Sequence, residues 1–89
     1  MSSINSINNS QLEALTQCLN LVLITERPLE PWICDTICDN IRFVLDSCPN
    51  KTSFDQKLLS SLRDIIHTNI HNVKLKLQIA KLVLHRFDF

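Results

Sequence analysis

A chain of 89 residues, 45% hydrophobic and 20% charged, with nine basic side chains balancing nine acidic ones, has the make-up of one globular domain. It contains no glycine. Phosphate loops, dinucleotide fingerprints, nucleophile elbows and calcium loops all draw on glycine for positive-φ turns or close backbone approach, so those four chemistries lose their basis here.

The start of the chain, Met1 to Asn9, is polar and rich in Ser and Asn, and we read residues 1–9 as a disordered lead-in to a single helical domain over 10–89. It lacks the basic start and apolar stretch of a secretory signal. The longest apolar run, Leu21 to Ile24, falls far short of a bilayer. We therefore expect an intracellular protein, cytoplasmic or nuclear, with no membrane segment, its four cysteines free thiols and its two Asn-x-Ser/Thr sequons chance matches.

Ser10-Gln11-Leu12-Glu13 has the form of a capping box and predicts a first helix over 10–26. Leu12, Leu15, Leu19, Val22 and Leu23 follow on one face at spacings of three and four. Pro28-Leu29-Glu30-Pro31 is a stiff connector, because each proline fixes its own φ and restricts its predecessor.

Pro31 suits the first turn of a second helix, predicted over 31–48. Ile33, Ile37, Ile41, Val44 and Cys48 form one stripe and Cys34, Cys38, Ile41, Leu45 and Cys48 another beside it, so the buried face is wide. Asp35, Asp39, Arg42 and Asp46 lie opposite, and Pro49-Asn50 ends the segment.

Ser53-Phe54-Asp55-Gln56 repeats the capping logic for a third helix over 53–69, with Phe54, Leu58, Leu62, Ile65 and Ile66 turned inward. Its polar face carries Gln56, Ser60, Arg63 and His67. The following break, Asn69 to Asn72, has neither glycine nor proline, so we expect asparagine to supply left-handed backbone there.

In the last segment, Val73 to Ile79 alternates as a strand would. Lys74, Gln78, Lys81, His85 and Asp88 nevertheless recur at four, three, four and three, which only a helix turns into a stripe, and we predict a helix over 72–87. It is apolar on two sides, with Val73, Leu77, Ala80, Leu84 and Phe87 on one and Leu75, Ile79, Leu82 and Val83 on the other.

Charge divides along the chain. Residues 1–50 hold two arginines against six carboxylates, net −4, and residues 51–89 hold seven cations against three, net +4. Such complementarity can align two halves of one bundle, pair two chains antiparallel, or offer a basic face to nucleic acid.

Four further constellations bear on chemistry. Cys34-x-x-x-Cys38 and His67-x-x-x-His71 each place two zinc ligand types one turn apart, although zinc fingers favour closer cysteines and buried free thiols are the commoner state. Asp35 and Asp39 beside those cysteines would raise their pKa and lower reactivity, and a glycine-free bundle offers little concave surface, so we expect no enzyme, cofactor or small-molecule substrate. Lys57, Arg63, Lys74, Lys76, Lys81 and Arg86 could follow the phosphates of duplex RNA, though no aromatic is interleaved for base stacking. Trp32 either anchors its connector to the core or projects as an interface anchor.

The fold class is thus all-α: a small four-helix bundle of antiparallel hairpins, expected to self-associate because a domain this size buries only about 60–65% of its unfolded surface. The expected function is a protein–protein interaction module, an adaptor, assembly subunit or accessory regulator acting as a homodimer or on another protein. Its expected interface comprises Trp32, Leu75, Ile79, Leu82, Val83, Phe87 and Phe89. The alternative is a helical RNA binder using the six cations above.

Overall fold

The computed structural model describes residues 9–47 and 55–87, and these form four helices and no strands. They are α1 (Asn9–Ile24), α2 (Pro31–Ser47), α3 (Gln56–His67) and α4 (Val73–Val83). The predicted lead-in up to residue 8, the stop at Pro49-Asn50, the cap at Ser53 and the side chains of Cys48, Phe54 and Phe89 lie outside the described residues.

The helix ends depart from the capping-box predictions. Ser10 lies within α1 and so is not its cap. α1 stops at Ile24, two residues before the predicted end, where the Thr25 hydroxyl donates to the Leu21 carbonyl at 2.6 Å and the chain turns toward Pro28. Pro31 opens α2 as expected, with the amides of Ile33 and Cys34 donating to the Glu30 carbonyl at 3.0 and 3.1 Å. α3 is capped by Asp55, whose carboxylate accepts the Leu58 amide at 2.9 Å.

The turn between α3 and α4 also differs from expectation. No described residue has positive φ, so asparagine supplies no left-handed backbone. Thr68 is extended, Ile70 is buried in the core, and Asn72 turns its amide side chain inward against the first connector. Polar side-chain bonding replaces the left-handed residue.

The predicted apolar faces become the core. Leu19, Ile41, Leu58, Leu62, Ile65, Leu75, Ile79 and Val83 are fully enclosed, and Leu15, Val22, Ile37 and Leu45 surround them. α2 contributes both of its stripes, burying Ile37 and Val44 together with Cys34 and Cys38. The alternating Val73–Ile79 segment is helical, as the polar stripe required.

α1 lies mainly on α3, and α2 on α4, while α4 also packs on α3 and α1 touches α2 least. Ser61 Oγ donates to Asn20 Oδ1 at 2.9 Å, the Leu29 amide to Asn72 Oδ1 at 2.7 Å, and Gln78 Nε2 reaches Asp35 Oδ1 at 3.5 Å. These pairs are 41, 43 and 43 residues apart. On the α2–α4 side the residue numbers rise together, from Leu29 with Asn72 to Asp35 with Gln78, so α2 and α4 run in the same direction. The four helices pack together as a bundle. Its radius of gyration, 12.8 Å, is close to the roughly 12 Å expected of a folded domain of this length.

Candidate interaction face

Because α4 is apolar on two sides and only one can be enclosed, the choice between them decides which surface the molecule shows. Leu75, Ile79 and Val83 have 0% exposure, Phe87 is buried and Leu82 half-buried against the core. All five were expected at an interface; within the chain α4 packs on α2 and α3, which encloses Leu75, Ile79 and Val83 and leaves Leu82 partly open. Phe87 is held by a turn after α4, its amide donating to the Val83 carbonyl at 2.9 Å, and its side chain is buried.

The other row faces solvent. Val73 and Leu77 are each 56% exposed and Leu84 50%. At about 100° per residue these three fall within an arc of roughly 40°, bordered by Lys74 and Lys81.

On α2, Trp32 is 64% exposed, which rules out anchoring to the core. Its indole Nε1 donates to Glu30 Oε2 at 2.6 Å, fixing the ring across the start of the helix. Phe43, to which the sequence reading gave no role, is also exposed, eleven residues on and so on the same side. Trp32, Asp39, Phe43 and Asp46 share an arc of about 60°. The signal available in the sequence was Phe43's place among the aspartates rather than in either apolar stripe.

An open groove of about 720 Å³ separates the two helices. Pro28, Pro31 and Asp35 line one wall, and His71, Leu77 and Lys81 the other. The outer surface of the α2–α4 layer therefore runs from an apolar ridge with acids, across the groove, to a basic margin and a second apolar ridge. Leu21 and Ile24, at the end of α1, are also exposed.

The six cations do not gather into one strip. Lys74 and Lys81 share a side of α4, while Lys76 lies some 160° from Lys74 around the axis, and Lys57 and Arg63 are about 120° apart on α3. Lys76 donates to the Thr68 carbonyl at 2.9 Å, closing the C-terminal end of α3. Arg86, half-buried beyond α4, donates its backbone amide to the Val83 carbonyl at 3.0 Å.

The zinc constellation is not assembled. Cys34 and Cys38 are core residues, His67 and His71 are exposed, and no group of three or more ligand side chains among the described residues could hold a metal ion. Cys18, Cys34 and Cys38 are free thiols. Burial is the main force raising the Cys38 thiol to about 11, with Cys34, Asp35 and Asp39 adding to it and Arg42 opposing. Burial likewise raises Cys34, with Asp35 second, and Cys18. The acidic neighbours invoked from sequence are real but secondary.

Among the described residues no helix is long and apolar enough to cross a membrane. No protein-family model matches the chain, and neither a curated protein nor a solved structure matches it.

Proposed function

We propose that this chain is a non-catalytic helical interaction module that associates with itself, serving inside the cell as an adaptor, assembly subunit or accessory regulator. In this reading it comprises two antiparallel hairpins stacked on one another, and the outer surface of α2 and α4 is its working face. The carrying observation is that α4 encloses one apolar row completely and still presents Val73, Leu77 and Leu84 to solvent. Exposed apolar side chains gathered on one face mark interaction sites far more often than scattered ones do. Trp32 and Phe43 add two aromatics to the same layer, the residue class that most often anchors interfaces.

Sedimentation equilibrium of the wild type beside L77E/L84E tests the reading. A concentration-dependent dimer that the double substitution returns to monomer supports it. A monomer at every concentration, unchanged by the substitutions, removes it. The scatter of Lys57, Arg63, Lys74, Lys76, Lys81 and Arg86 gives the duplex-RNA alternative no particular support. A gel shift at micromolar protein, steeply weakened by salt and lost in K74E/K81E, would reinstate that alternative.

A further inference from the structure

The two halves of the chain carry net charges of −4 and +4, and among the described residues neither Lys74 nor Lys81 of the basic half is paired with an acid of the other. The ion pair found among the described residues joins Arg42 to Asp39 at 3.0 Å, within α2 itself. Lys74 and Lys81 form no ion pair with any described residue, although both stand on the groove margin facing α2. Among the described residues Asp35 meets the neutral amide of Gln78, at 3.5 Å, and no cation. The outer layer thus carries Asp35, Asp39 and Asp46 with one cation, Arg42, along one ridge and Lys74 and Lys81 beside the other, with no ion pair between them among the described residues.

We infer that the occupant of this face is a second copy of the chain, related by a twofold axis parallel to the helices, which lays α4 of each copy over α2 of the other. This rests on the self-association proposed above and supplies its geometry. A flat layer of two helices can meet itself face to face about an in-plane twofold in two simple ways. An axis across the helices sets α2 on α2 and α4 on α4, bringing aspartates onto aspartates and lysines onto lysines. An axis along them sets α4 on α2 twice, bringing lysines onto aspartates at both seams. Like charges brought together oppose association and opposite ones favour it, so the second arrangement is selected.

The same axis fixes the register. It leaves heights along the helices unchanged, so a residue of α4 meets the partner's α2 at the level set by the 43-residue offset within the chain. Lys81 then lies level with the neighbourhood of Asp39, Lys74 with that of Glu30 and Asp35, Leu84 near Phe43, and Leu77 and Val73 near Trp32. Each apolar side chain meets an apolar one and each free cation a carboxylate.

Charge reversal with exchange tests this. K74E/K81E and D35K/D39K are each made in the full chain, and dimer dissociation is measured by sedimentation for each alone and for an equimolar mixture. The arrangement predicts that either variant alone dissociates at least about tenfold more readily than wild type, by the loss of two complementary seams. It also predicts that the mixture forms a heterodimer of near wild-type strength, because Glu on one copy's α4 then meets Lys on the other's α2, and the unaltered pair meets at the second seam. Recovery on mixing shows at the same time that both variants are folded. Wild-type dimers with no weakening in either variant, or weakening without recovery on mixing, overturn this arrangement while leaving the interaction-module reading in place. A wild-type monomer at about 100 μM, where even a weak dimer would be populated, overturns both.

Discussion

The buried side chain of Asn72 holds the backbone of Leu29, accepting its amide at 2.7 Å across 43 residues of chain. Its Nδ2 donates to the Arg27 carbonyl at 3.1 Å, so one amide side chain satisfies a donor and an acceptor of the α1–α2 connector. Pro28 and Pro31 have no amide hydrogens to offer, which leaves few ways to secure this segment. Asn72 is consequently the clasp between the first helix pair and the second.

Replacing Asn72 with Ala leaves the Leu29 amide and Arg27 carbonyl without partners. Each part-buried group so stranded costs about 1–3 kcal/mol. We expect N72A to lose about 2–4 kcal/mol and at least about 10 °C in melting temperature for a domain of this size. Thermal unfolding followed by circular dichroism checks it, and an unchanged midpoint would show that the clasp contributes nothing.

The two sides of α4 separate cleanly by substitution. I79A empties a fully enclosed site and is expected to cost about 2–5 kcal/mol. L77A alters a side chain facing solvent and should change stability by no more than about 0.5 kcal/mol in dilute protein. Urea unfolding of both variants reads the difference, and equal losses would reverse the assignment of inner and outer rows.

Loss of the Asp55 carboxylate should be felt at the start of α3. D55A removes the cap on the Leu58 amide and is expected to cost about 1 kcal/mol, again read from urea unfolding. D55N, which keeps an accepting oxygen, should recover most of it.

Stability should decline in alkali through Cys38. In the folded chain burial keeps this thiol protonated up to about 11, against an ordinary value of 9.0. Between those values the unfolded state binds fewer protons than the folded one, so the contribution is complete below pH 9 and is lost as pH rises toward 11. Melting temperature against pH should therefore fall less steeply over that range in C38A than in wild type. Parallel curves would show that Cys38 is not the group responsible.

The helical class and the core faces of α1, α2 and α3 were legible because most of their apolar residues recur on one side, as Leu15, Leu19 and Val22 do in α1. α4 was not legible to the same degree, since Leu75, Ile79 and Val83 compete with Val73, Leu77 and Leu84 on hydrophobicity alone. A cue was present: Lys74 and Lys81 lie about 60° and 40° from Leu77 around the helix but about 140° and 160° from Ile79, and a charged head stays wet more easily beside the outer row. Caps failed for a different reason. Ser10 matches a local pattern but lies inside α1, because helix limits depend on where the chain can turn and pack. Asn72 could not be found from its neighbours in sequence, because both of its partners lie more than 40 residues away.

Trp32 is the only tryptophan in the chain and stands on the face assigned to self-association, so its accessibility to a soluble quencher reports that contact directly. Measured across a dilution series, quenching should be strong in dilute protein, weaken as concentration rises, and remain strong throughout in L77E/L84E. Quenching that is equally strong at every concentration in the wild type would contradict the account.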